Sequence, residues 1–140
     1  MATFALKDWI TQRIKHQDLF TGKLKKINEK TEFHLVAEYK DKDSEIIITS
    51  KLDPKELKSI KDKQAIIEII TFNTKANFNH LLKEWKEYIK HDNLKIFFVN
   101  TKIHHDNFWV IKPKVHDMIT EKTNLKKGLE SLFNSVEAYD

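Results

Sequence analysis

The stretch from residue 64 to residue 99 constrains the fold more than any other part of the chain. It begins with a strongly apolar run, QAIIEIITF (residues 64–72), passes through an amphipathic segment, and ends in a second apolar run, LKIFFV (Leu94–Val99). Apolar runs of this length bounded by polar residues read as buried strands. Between them, residues 77–90 put Phe78, Leu81, Leu82, Trp85 and Ile89 on one stripe and Lys83, Lys86, Glu87 and Lys90 on the other. That spacing predicts a helix with one buried face and Trp85 in the core. A strand, a helix and a strand in succession close as a right-handed crossover. Residues 66–70 and Leu94–Val99 are therefore expected to be adjacent and parallel.

The preceding segment has a different rhythm. Residues 3–17 carry Phe4, Trp9, Ile10 and Ile14 near helical spacing, which predicts a first helix. Three strands are then expected at 19–27, 31–40 and 45–52. In the second, Phe33, Leu35, Ala37 and Tyr39 alternate with Glu32, His34, Val36, Glu38 and Lys40, so one face is apolar and the other wet. Asn28-Glu29-Lys30 and Asp41-Lys42-Asp43 suit hairpin connections. Asp53-Pro54 opens a short helix to about residue 62, with a capping carboxylate followed by proline at the first helical position. A further strand is expected at residues 108–111, ended at or near Pro113. A last helix over 124–139 turns Leu125, Leu129, Leu132, Phe133 and Val136 inward. The expected fold is a single mixed α/β domain over residues 1–140. A three-stranded antiparallel meander joins a parallel β-α-β unit, and helices flank one mixed sheet.

Composition excludes several chemistries. There is no cysteine, which removes disulfides, thiolate metal sites and cysteine nucleophiles. The only glycines are Gly22 and Gly128, and neither a phosphate-cradling glycine loop nor a G-x-S-x-G elbow is present. The first residues, MATFALKDWITQRIKH, are interrupted by Lys7, Asp8, Arg13 and Lys15. No apolar run there suits a signal peptide or a membrane span, so a cytoplasmic protein without a membrane partner is expected. The net charge is +4, and Arg13 is the only arginine among 25 basic residues. Lysine acts as a point charge, whereas arginine supplies the planar fork that reads guanine edges in the major groove. Any nucleic-acid contact is thus expected to be electrostatic and largely insensitive to sequence.

Glu38-Tyr39-Lys40 is an E-x-K whose two ends share the wet face of the second strand, beside His34, with Glu45 on the neighbouring strand. Together with the order helix, three-stranded meander, helix, strand over residues 3–100, it resembles the restriction-endonuclease-like, or PD-(D/E)xK, nuclease superfamily. The resemblance implies an acid on one strand and an E-x-K pair on the next. These bind Mg2+ and activate water, while the lysine stabilises developing charge. The sequence departs from that pattern in two ways. Glu38 falls on the middle strand of the meander where the family places E-x-K on the third, and an alignment on Glu68 lacks the lysine, because Ile70 stands there. The resemblance then implies a degenerate, non-cleaving relative. The alternative is an active nuclease using Glu38, Lys40 and Glu45, with Glu68.

Other constellations are compatible with binding. Glu68 sits inside an apolar strand, and a buried carboxylate requires a partner or a raised pKa. It reads either as a metal ligand or general base, or as half of a structural ion pair or an acid at a solvent window on the sheet edge. His104, Asp106 and His116 are a candidate metal trio, against which stands an ordinary polar turn. Lys95, Lys102, Lys112 and Lys114 are interleaved with Phe97, Phe98, Phe108 and Trp109. Lysines beside exposed aromatics are how single strands are held, and Trp109 is the aromatic expected to be exposed. Lys23, Lys25, Lys26 and Lys30 form a second basic strip. Three readings stay open: a module binding single-stranded nucleic acid without a cofactor, a Mg2+-dependent nuclease, and a protein-interaction subunit that forms a homo-oligomer.

Overall fold

In a computed structural model, which describes residues 2–59, 65–102 and 107–140, six strands form one open mixed sheet whose spatial order is the order of the sequence. The strands are β1 (Leu24–Thr31), β2 (His34–Tyr39), β3 (Asp43–Ile48), β4 (Ile66–Phe72), β5 (Leu94–Val99) and β6 (Phe108–Ile111). β1, β2 and β3 form the expected antiparallel meander. β3, β4 and β5 are mutually parallel, and β6 returns antiparallel on β5. The helices are α1 (Ala2–Thr21), α2 (Lys75–Lys83), α3 (Trp85–Tyr88), α4 (Pro113–Ile119) and α5 (Lys122–Asn134). A 3-10 helix, Pro54–Ser59, lies between β3 and β4.

The sheet is covered on both faces. On one, α1 lays Leu6, Trp9, Ile10 and Ile14 against Leu35, Ile46, Ile70, Phe97 and Val99. On the other, α2 to α5 pack Phe78, Leu81, Trp85, Tyr88, Leu129 and Phe133 over Ile69, Ile96, Phe98 and Trp109. The strand–helix–strand expectation holds, with Ile67 opposite Leu94 through Phe72 opposite Val99, and Trp85 is buried as its stripe requires.

Local chemistry moves several boundaries. Residues 19–21 belong to α1 rather than to a strand. The helix ends at Gly22, whose φ of +61° is the left-handed conformation that closes helices, and its N–H donates to the Asp18 carbonyl at 2.8 Å. Asn28, Glu29 and Lys30 lie within β1, and the chain turns at residues 32–33. The single helix expected over 77–90 breaks at Glu84, which caps α2 with φ −103° and ψ 20°. Pro113 does not merely end β6. It occupies the first turn of α4, where its missing N–H costs nothing. Thr74 caps α2 by accepting from Asn77 N–H at 3.1 Å.

Residues 136–139 cross the C-terminal ends of β4 and β5. Buried Asn73 donates to the Val136 carbonyl at 3.2 Å, and buried Asn100 donates to the Glu137 carbonyl at 3.0 Å. Tyr139 stacks on Phe72 at 4.1 Å. At β4 and β5, the strand ends where parallel sheets commonly bind ligands are thereby covered by the chain itself.

Candidate functional site

At the opposite end of the parallel strands, a cleft of about 570 Å3 opens between the last turns of α1 and the sheet. Its size falls within the roughly 300–1,000 Å3 usual for ligand pockets. Strand parity determines what lines it. Ser44 pairs with Ile66, Ile46 with Glu68 and Glu68 with Lys95, so these side chains share the α1 face. The close of α1 adds Arg13, Asp18 and Phe20, the link from α1 to β1 adds Lys23, and the turn from β2 to β3 adds Asp41 and Lys42. Tyr39, Ile66 and Phe97 contribute apolar wall.

Glu68 is the chemical centre of this cleft. Desolvation by the surrounding apolar side chains raises its carboxyl above the usual range, while Lys95, Arg13 and a hydrogen bond with Ser44 pull it back. Neither Lys95 nor Arg13 is in ion-pair contact with it among the described residues. The Arg13 guanidinium instead lies 4.5 Å from the Phe108 ring centroid, with Trp9 and Phe97 also within cation–π range. Burial, then Glu68 and Asp18, raise the Tyr39 phenol as well, so it faces the cleft protonated. Asp18 accepts from Leu24 N–H at 2.8 Å, and Asp41 pairs with Lys23 at 4.0 Å. Lys42 and Lys95 are left as cations whose ammonium groups no carboxylate contacts among the described residues. Phe20 stands at the mouth, 84 % exposed, with its ring edge-on to His16.

Most residues singled out from sequence lie elsewhere. Glu38, Lys40 and Glu45 are not gathered with Glu68. Glu45 pairs with Ile67 and therefore faces away from α1, on the opposite side of the sheet from Glu68. There Glu45, only 4 % exposed, accepts from Lys30 Nζ and contacts His34 Nε2, each at 3.0 Å. This face is wet only toward the β1 edge, since Val36 and Ile47 beside Glu45 are buried. Glu38 accepts from Asn28 and pairs with Lys26 at 3.6 Å, and Lys40 is exposed at the bend after β2.

The aromatic–lysine surface is corrected. Trp109 is not exposed. It is 4 % accessible, stacks on Phe98 at 4.2 Å and donates its indole N–H to Asn73 Oδ1 at 2.8 Å. In β6, Trp109 and Ile111 face the helical layer, so the strand's apolar alternation is answered by a core on that side. Its ring is therefore no platform for a base. The four lysines are also dispersed. Lys95 enters the α1 cleft, whereas Lys102 donates to the Tyr139 carbonyl at 2.7 Å beyond the other end of β5. Lys112 precedes α4, and Lys114 pairs with Asp92. In the second strip, Lys26 and Lys30 are paired and Lys23 reaches the cleft.

Of the metal trio, His104 and Asp106 lie outside the described residues. His116 lies in α4, with its ring edge-on to Trp85 at 6.2 Å and its Nε2 buried without a hydrogen-bond partner. Among the described residues no three His, Asp or Glu side chains are grouped to hold a metal ion. No helix among the described residues is long and apolar enough to cross a membrane. The cleft partners that sequence reasoning missed are Arg13, Phe20, Tyr39 and Ser44. The sole arginine is visible in the sequence, but its meeting with Glu68 depends on how α1 is rotated over the sheet. Comparison with family models, with curated protein sequences and with solved structures returned no match.

Proposed function

We propose that the chain is a nucleic-acid-binding module that takes single strands through the α1 cleft, on a nuclease-like fold without an intact catalytic site. The observation that carries this reading is the exposed Phe20 at the mouth of a cleft bordered by Arg13, Lys23, Lys42 and Lys95. An exposed ring with cations alongside suits a base stacked beside its own phosphates. The element order supports the nuclease-like part: α1, the β1–β2–β3 meander, a 3-10 helix, then β4 parallel to β3.

The test is a fluorescence titration with short single-stranded oligonucleotides at several salt concentrations. Affinity should fall steeply with salt as released counterions return. Lys42→Ala should shallow the salt slope by about one unit, the effect of removing one phosphate-binding cation. Phe20→Ala should weaken binding by about 1–3 kcal/mol. Lys112→Ala and Lys114→Ala should change little, because neither borders the cleft. Absence of binding at low salt would reject the proposal.

Metal-dependent cleavage is the competing reading, favoured by the juxtaposition of Glu68 and Lys95. Mg2+- or Mn2+-dependent cleavage abolished by Glu68→Gln would put it first. An interaction subunit is favoured by exposed Val115, Met118 and Ile119 on α4. A mass that rises with concentration, without nucleic-acid affinity, would select that reading.

A further inference from the structure

Resting on the nucleic-acid reading, we infer that the cleft selects one unstacked guanine, whose Watson–Crick edge meets Glu68 and Lys95. The two residues are direct partners across parallel strands β4 and β5 and lie on the same face. Neighbouring strands are about 4.8 Å apart, so an acceptor-only carboxylate and a donor-only ammonium stand on adjacent strands facing one cleft. They are not closed on each other as an ion pair, and both line the open cleft.

Guanine presents the complementary row. Its O6 accepts from an ammonium, and its N1–H and N2–H donate together to one carboxylate. Thymine and uracil present a single donor flanked by two carbonyl acceptors, which sets an oxygen against the carboxylate. Adenine and cytosine offer one amino donor to Glu68 and one ring-nitrogen acceptor to Lys95, and so lack the second donor that guanine gives the carboxylate. Single strands are read in this way, with unstacked bases hydrogen-bonded along their Watson–Crick edges. Arg13 is occupied over Phe108 and Ser44 hydrogen-bonds Glu68 itself, which leaves Lys95 as the cation beside Glu68 for a ligand. Ile66, Phe97 and Tyr39 supply apolar surface for the ring. The remainder of a bound strand is held by charge alone, so the preference is confined to one position.

The experiment is fluorescence anisotropy at fixed low salt with labelled oligothymidylate and with the same oligomer carrying one central guanine or one central hypoxanthine. Wild-type protein should bind the guanine oligomer tighter by roughly 5- to 150-fold, the range of one good bidentate base contact. Hypoxanthine, which keeps O6 and N1–H but lacks N2, should fall between the two. Glu68→Gln should abolish the preference, read as the ratio of guanine-oligomer to oligothymidylate affinity within the same variant. Lys95→Met should diminish the preference and lower affinity for both oligomers, and circular dichroism should show each variant folded. Salt-dependent binding with equal affinity for guanine and thymine oligomers overturns the guanine inference and leaves the nucleic-acid reading standing. So does a guanine preference that survives in folded Glu68→Gln. Failure of wild-type protein to bind any oligomer overturns both.

Discussion

Replacing Trp109 with alanine separates a core tryptophan from a stacking platform. The indole is buried between Phe98, stacked at 4.2 Å, and Phe78, edge-on at 6.4 Å. Truncating a large buried aromatic costs about 3–5 kcal/mol. The lost N–H also leaves the Oδ1 of fully buried Asn73 without its 2.8 Å donor, and a buried acceptor deprived of its partner costs roughly 1–3 kcal/mol. Against a total stability of about 5–15 kcal/mol, the combined loss is a large fraction of the fold. The assay is urea unfolding followed by far-UV circular dichroism, which does not rely on the deleted fluorophore. With a slope of about 1–3 kcal/mol/M, the midpoint should fall by more than about 1 M. Trp109→Phe separates the two components. It keeps one ring in the stack, loses the N–H and leaves a small cavity, so the loss should exceed the roughly 1–3 kcal/mol of the orphaned acceptor and stay below that of Trp109→Ala. A loss below about 1 kcal/mol for Trp109→Ala would refute the packing argument, since only surface substitutions are that mild.

Trp85→Ala should destabilise by about 3–5 kcal/mol by the same denaturation assay, because it removes a buried ring and strands Asp117, whose Oδ1 accepts the indole N–H at 2.9 Å. Glu68→Gln should raise the melting temperature at neutral pH and lose that advantage in acid. A carboxyl raised on folding binds more protons in the native state than in the unfolded one, so its charged form destabilises as pH rises through the native value. An unchanged or lowered melting temperature at pH 7 would count against the desolvated acid. His116 has the opposite sign, because burial lowers its imidazole below the ordinary 6.5. Stability should therefore drop as pH falls from about 6.5 through the lower native value, and His116→Gln should flatten that limb of a pH–stability curve.

The parallel crossover is legible in the sequence because periodicity and length agree from residue 64 to residue 99, and chirality then leaves little choice of topology. The meander is legible in its alternation, but not in its register. Phe20 and Leu24 have the spacing of one strand face, whereas Gly22 between them is a helix terminator and Phe20 belongs to α1. Pro113 reads as the end of a strand because a proline says that a strand stops, not that a helix begins. The burial of Trp109 escapes the sequence because a half-apolar four-residue strand does not reveal that Phe78 of α2 and Phe98 of β5 pack against it. Glu68 stands out as an acid among isoleucines. Its neighbours do not, because Arg13, Ser44 and Lys95 reach it only through a helix rotation and two strand registers, and each is set by packing rather than by local propensity.

The binding of residues 136–139 across the strand ends has a consequence for biogenesis. Asn73 and Val136 are 63 positions apart, and Asn100 waits for Glu137 over 37. As the chain emerges from the ribosome, β4 and β5 become available well before the carbonyls that their terminal asparagines need. Until those residues arrive, the nascent sheet carries polar amides that it cannot bury at full benefit, each worth roughly 1–3 kcal/mol if left unmet. Residues 136–139 thus complete the hydrogen bonding of strands made well before them. A product stalled or clipped before residue 136 should not be a native domain with a frayed tail, but a loosened sheet recognisable to chaperones and proteases.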